Sequence, residues 1–249
     1  MNRIYFLIVM IPIIGLSSGF SQELVTDRPD FTESALVVPA GTLQIEAGAE
    51  YADFNSVTDF SCPAILARAG LGNRFEVRVG FGGWSKITVD DKSQTYLNDL
   101  ILEAKYQLTE TSATIPMALM LVSTLPAGDE EVSVGNTEIG IKYACSYDVN
   151  ESIGLGVNFG AISVTAGDER QILSLASVAL GVGLSDKLAI FLETFAEIPQ
   201  NQSWQPVLDG GFTYLLAPLL QADFYIGKGL NGQSAELIIG AGVSLGFGI

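Results

Sequence analysis

Residues 236–249 read ELIIGAGVSLGFGI. Leu237, Ile239, Ala241, Val243, Leu245, Phe247 and Ile249 share one parity. Glu236, Gly240, Gly242, Ser244, Gly246 and Gly248 share the other, with Ile238 as the single exception. Successive side chains of a strand point to opposite faces, so this stretch is a ribbon with one apolar face and one small or polar face. A tilted strand crosses a bilayer in roughly 9–11 residues, and this ribbon is long enough. Two architectures accept it: a membrane β-barrel whose sheet it closes, or the last strand of a soluble sandwich.

Composition separates the two. Hydrophobic residues make up 48% of the 249 and charged residues only 16%, below the roughly 25–35% of a soluble surface. Beyond the N-terminus no apolar run reaches the roughly 20 residues of a transmembrane helix. High hydropathy without such a run, together with 27 glycines, fits strands that hide apolar residues in alternation. The net charge of −16 and the absence of His argue against a nucleic-acid partner, which needs a basic face. They also remove the commonest general base and metal ligand. Cys62 and Cys145 belong to no CxxC pattern; a disulfide and two free thiols both fit, and free thiols are favoured. No metal site and no cofactor is expected.

Residues 1–21, MNRIYFLIVMIPIIGLSSGFS, place Arg3 ahead of a short apolar core interrupted by Pro12. This is the pattern of a secretory signal peptide, cut near Phe20–Gln22. Residues 22–41 are polar and turn-rich and form a separate N-terminal segment, plug-like or periplasmic, ahead of a barrel domain over 42–249. Two runs carry a resemblance: Thr26-Asp27-Arg28-Pro29-Asp30-Phe31-Thr32-Glu33-Ser34 and Val38-Pro39-Ala40-Gly41-Thr42-Leu43-Gln44-Ile45-Glu46. Together they resemble the opening of the family described as the MetA-pathway of phenol degradation. The resemblance implies an outer-membrane β-barrel with a transport role, and the family's name implies a hydrophobic or aromatic cargo. Within the segment, Asp27, Arg28 and Asp30 form a compact charged cluster. One reading folds it into the barrel mouth against solute; the plainer and favoured one is local Arg–Asp pairing that fixes how the chain joins the sheet.

Alternation then predicts strands at about 42–52, 64–71, 75–83, 97–108, 115–125, 137–147, 152–164, 171–184, 188–197, 207–216 and 219–227, plus the terminal one. The stretch 115–125 is apolar on both faces and fits least well. Short turns at 72–74, 109–113, 148–151, 185–187 and 217–218 alternate with longer segments at 53–63, 84–96, 126–136, 165–170, 199–206 and 228–235. That order suits an up-and-down membrane barrel of about twelve antiparallel strands, with both termini on the periplasmic side. A Greek-key sandwich has no reason to keep it.

Side chains fill a barrel of about eight strands, whereas twelve Gly- and Ala-rich strands leave a void if the apolar set points inward. The apolar set is therefore expected to face outer-membrane lipid. Phe75, Tyr106, Tyr147, Tyr214 and Phe247 would then ring one rim, and Tyr51, Phe81 and Trp84 the other. The inner set holds Glu46, Glu50, Glu76, Glu103, Glu138, Glu193, Glu197, Asp209, Asp223 and Glu236 against Arg68, Arg78, Lys105 and Lys142. An acidic lumen selects cations or neutral solutes; the plainer reading is cross-strand ion pairs that stitch the interior. The candidate binding residues are Asp27, Arg28, Asp30, Glu46, Arg68, Glu76, Arg78, Glu103, Lys105, Glu193, Asp209 and Asp223.

No enzyme is expected: the chain has no His, no GxSxG and no phosphate loop. Two functions stay open. One is a channel for passive passage of small solutes; the other is a closed outer-membrane barrel with a structural or binding role.

Overall fold

The structure is a computed structural model that describes residues 24–167 and 169–249. The stretch expected to be a signal peptide lies outside the described residues. Fourteen strands are present: β1 (Thr42–Asp53), β2 (Val57–Gly70), β3 (Phe75–Phe81), β4 (Trp84–Val89), β5 (Lys92–Leu97), β6 (Leu100–Gln107) and β7 (Met117–Leu125), then β8 (Glu138–Asn150), β9 (Ile153–Ala166), β10 (Glu169–Gly183), β11 (Leu188–Pro199), β12 (Gln205–Ala217), β13 (Leu220–Gly229) and β14 (Leu237–Gly248). All pairings are antiparallel between neighbours, and β1 pairs with both β2 and β14, which closes the sheet. One half of β2 pairs with β3 and the other half with β4, while β3 pairs with β6 and β4 with β5. Thus β3 and β4 form one broken stave, β5 and β6 another, and the barrel has twelve staves.

The terminal ribbon sets the wall as its parity requires. Thr42 opposes Gly248, and Gly48 opposes Gly242, in an unbroken β1–β14 register. Outward residues such as Leu121, Ile139, Val178, Leu192 and Val243 are exposed apolar side chains. Inward residues such as Gln44, Glu46, Arg68, Glu76, Arg78, Lys105 and Glu193 are buried and polar. This inverts a soluble protein, and an apolar band around a closed wall is what hydrocarbon stabilises. Phe75, Tyr106, Tyr147, Tyr214 and Phe247 are exposed near the end where β1 begins and β14 ends, and Trp84 is exposed toward the far end.

Three expectations need correction. The segment 84–96, read as a loop, is a hairpin that extends the wall as β4 and β5. Its turn is Asp90–Asp91, with φ of 47° and 62°, the positive values a two-residue hairpin turn requires. Both faces of this hairpin stand largely in solvent, so nothing imposes apolar alternation on it. Likewise β2 begins at Val57, seven residues before its predicted start at Ala64, so the loop there shrinks to residues 54–56. Finally, the connections do not strictly alternate in length: residues 108–116, on the terminal side, outnumber the far-side turns 54–56 and 90–91.

The longest far-side connection, residues 126–137, is pinned by Asp99 between β5 and β6. Its carboxylate accepts hydrogen bonds from the backbone N–H groups of Ala127 (2.9 Å), Gly128 (2.8 Å) and Val134 (2.8 Å), and from Ser133 Oγ (2.9 Å). Cys62 and Cys145 are free thiols.

Candidate functional site

Residues 24–41 run inside the barrel. Extended backbone there has no strand neighbour, so its N–H groups must find side chains. The wall supplies carboxylates. Asp27 N and Arg28 N donate to Glu46 (3.3 and 3.0 Å), Phe31 N and Thr32 N to Glu193 (both 2.6 Å), and Val38 N to Glu76 (2.6 Å). Glu33 N donates to Asn158 Oδ1 at 2.5 Å, and Asn158 Nδ2 donates back to the Glu33 carbonyl at 3.1 Å. Thr32 Oγ1 also donates to Ser177 Oγ at 2.7 Å. Glu46, Glu193, Glu76, Asn158 and Ser177 sit on β1, β11, β3, β9 and β10. The segment is thereby bonded to staves all around the wall.

Glycines make the room. A Cβ on Gly48 or Gly242, which face one another across β1 and β14, would lie 2.5 or 2.6 Å from Arg28 Cζ. The guanidinium lies over this bare patch of backbone and reaches Asp223 on β13, with Nη2 to Oδ1 at 2.9 Å and Nε to Oδ2 at 3.3 Å. On the opposite side Ala35 packs against Met120 and Ala144. That contact explains why residues 115–125 read as apolar on both faces: the inner face of β7 meets the segment instead of water.

Of the candidate residues, Asp27, Glu46, Arg68, Glu76, Arg78, Glu103 and Lys105 are brought together in one cluster around Asp27. Arg68 contacts Glu46 at 2.7 Å, Glu76 at 2.8 Å and Asp27 at 3.3 Å. Arg78 contacts Asp27, Glu76 at 2.5 Å, Glu33 at 2.6 Å and Glu103 at 3.1 Å. Lys142 closes the network on Glu33 at 2.5 Å and Glu103 at 3.6 Å. Lys105 Nζ is fully buried, 3.9 Å from Asp27 Oδ1, with no hydrogen-bond partner among the described residues. Unpaired charges are costly in so enclosed a place, and mutual pairing offsets that cost.

Burial pushes the Asp27 carboxyl upward, but Arg68, Arg78 and Lys105 outweigh it and hold the group well below the usual carboxylate range. Burial also opposes ionisation of Glu33, yet Lys142 and Arg78 hold it down at about 2. Asp30 is the exception. It makes no ion pair among the described residues, and burial, with Glu193, Asp27 and Asp209 nearby, raises it well above its ordinary value.

The favoured expectation of local pairing among Asp27, Arg28 and Asp30 is therefore corrected. Asp27 pairs with β2 and β3, Arg28 with β13, and Asp30 with neither. Glu193, Asp209 and Asp223 lie outside the main cluster, on β11, β12 and β13. Glu33, Thr32, Asn158, Tyr225 and Phe195 were absent from the candidate set. Glu33 had a signal, because it belongs to the same charged run as Asp27; the others depend on barrel closure.

Cavities flank the segment. One of about 330 Å³ lies toward the far end, bordered by Arg78, Gly80, Gly82, Ile101 and Glu103. Another of about 640 Å³ opens toward the terminal end, bordered by Ser146, Asp148, Ser152, Gly181 and Gly183. Asp30 and Glu33 stand in the walls of both.

The fold is shared with solved outer-membrane channels. A COG4313 outer membrane channel from Pseudomonas putida F1 is 13% identical, with a TM-score of 0.64 over 89% of this chain and 100% of that one. The KdgM porin is 9% identical, with a TM-score of 0.59 over 82% and 99%. The NanC porin is 12% identical, with a TM-score of 0.58 over 82% and 98%. At such identities the likeness is one of fold. No curated protein sequence matches the chain. The family described as "Putative MetA-pathway of phenol degradation" matches residues 26–247, and the chain belongs to it.

Proposed function

We propose that this chain is an outer-membrane channel for passive passage of small solutes, with residues 24–41 acting as a constriction folded into its bore. One observation carries the reading: a closed wall, apolar outside and polar inside, with cavities on both sides of the inward-folded segment. The even number of staves puts the start of β1 and the end of β14 on one side of the barrel; in this reading that side is the periplasm, and a signal peptide delivers the chain there. The charged cluster and Asp30 line the narrow zone, so solute contacts fall on Asp27, Arg28, Asp30, Glu33, Arg78 and Glu103. The family's description supports a hydrophobic or aromatic cargo, and the apolar residues Ala64, Leu66 and Ile101, on the inner parity beside the 330 Å³ cavity, accord with it. No chemical step is assigned to any residue.

The alternative is a closed barrel with a structural or binding role. It is favoured by the density of buried ion pairs within the bore. Single-channel recording in planar bilayers distinguishes the two. Discrete steps support the channel; silence from protein whose barrel is folded by heat-modifiable gel shift supports the closed barrel. Liposome swelling with neutral aromatics against sugars of similar size tests the cargo.

A further inference from the structure

Away from the Asp27 cluster, a smaller cavity of about 230 Å³ lies between the segment and β1, β11, β12 and β13. Its wall carries three carboxylates: Asp30, Glu50 and Asp209. The single cation in that wall, Arg28, is already bound to Asp223 at 2.9 Å. Glu50 accepts a hydrogen bond from the Tyr225 hydroxyl. Asp209 is 5% exposed, lines the cavity, and its Oδ1 has no hydrogen-bond partner. A buried acceptor without a partner is a cost that a bound donor removes.

The rest of the wall is aromatic. Phe31 and Phe195 stack with centroids 4.4 Å apart and planes 6° from parallel, and Tyr225 stands beside them. Carboxylates that receive a cation, set among ring faces, are the chemistry that recognises an organic ammonium. A bare metal ion does not fit: no group of three carboxylate, thiol or imidazole residues among the described residues is disposed to hold one.

We propose that this cavity binds a small organic ammonium ion, with Asp209 and Glu50 taking the ammonium hydrogens and Phe195 and Tyr225 covering its carbon skeleton. The site sits in the bore, so the proposal rests on the channel reading for its access route and makes an aromatic or alkyl amine a preferred solute. Asp30 adds a third carboxyl to this wall from the segment. Its carboxyl is raised by burial and by neighbouring Glu193, Asp27 and Asp209, a strain that an incoming positive charge relieves.

The test is calorimetric titration of the folded, detergent-solubilised protein with phenethylammonium, the neutral isostere 2-phenylethanol and the anion 3-phenylpropionate. Saturable binding of the ammonium, roughly tenfold or more tighter than the neutral isostere, is expected, with no binding of the anion. Asp209→Asn weakens it by about tenfold, and Glu50→Gln serves the same purpose if the first variant does not fold. Equal binding of ammonium and alcohol, no binding, or unchanged affinity in a folded variant overturns the site. Conductance of the same preparation separates the two claims. Ammonium binding by a silent barrel leaves the site and removes the channel, whereas conductance without ammonium binding does the reverse.

Discussion

Arg28 and Asp223 lie 195 residues apart and meet inside the bore, Nη2 to Oδ1 at 2.9 Å. Asp223 has no exposed side-chain surface and Arg28 is 19% exposed, so removing one partner strands the other in an enclosed place. Asp223→Asn is expected to loosen the docked segment by roughly 1–3 kcal/mol. The measurement is single-channel recording together with limited proteolysis. The variant should show larger or more frequent openings and faster cleavage within residues 24–41, with unchanged barrel folding.

The bare backbone under Arg28 gives a second prediction. Gly242→Val places side-chain atoms where the guanidinium lies, since even a Cβ would sit 2.6 Å from Cζ. It should displace the segment much as Asp223→Asn does. Gly181→Ala is the control: its nearest neighbour to a new Cβ is a carbonyl at 4.0 Å, and its conductance and protease sensitivity should match the wild type.

Acid should release the segment over a defined window. A free Glu33 side chain has an ordinary value of 4.5 and the docked one about 2. Its contribution to docking is therefore fully present above pH 4.5 and lost as pH falls toward 2. Asp27, also held low, adds to the loss in the same direction. Asp30 acts oppositely: its docked value is raised above the ordinary 3.8, so docking through it improves as pH falls and gains nothing further below 3.8. Conductance should stay constant or shrink down to about pH 4.5, then rise between 4.5 and 2. Glu33→Gln should flatten that rise.

Much of this arrangement is legible in the chain because lipid and lumen impose opposite demands on adjacent residues. The ribbon 236–249 states its register with one exception, and β1 and β14 pair on that register without a slip. Legibility fails where the environment no longer differs between faces. In β4 and β5 both faces stand largely in solvent, so their alternation carries little signal. In β7 both faces are apolar, because Met120 meets Ala35 of the segment. The partners of Asp27 and Arg28 are fixed by closure, which brings Arg78 and Asp223 beside them from distant staves. Sequence proximity suggested local pairs, and the enclosed geometry supplied better ones.

The outward band yields a further prediction. Leu192 on β11 is 54% exposed on the apolar face, and its neighbour Glu193 is buried in the bore. Leu192→Arg should destabilise the membrane-inserted barrel by roughly 2–4 kcal/mol if it sits near the midplane, read as a shift in the denaturant midpoint for folding into vesicles. Ala189→Ser, on the inner face of the same strand, should leave that midpoint unchanged.

The most direct measurement is a nitroxide scan of β10 in liposomes, one label at a time from Ala176 to Gly181, reading collisions with oxygen against a water-soluble nickel complex. Ala176, Val178 and Leu180 share the outward parity, whereas Ala179 and Gly181 border the terminal-side cavity. Oxygen access peaking at 176, 178 and 180, with nickel access at 179 and 181, is the expected result. Equal access along the strand, or nickel access on the leucine and valine face, would contradict a wall that meets lipid outside and water within.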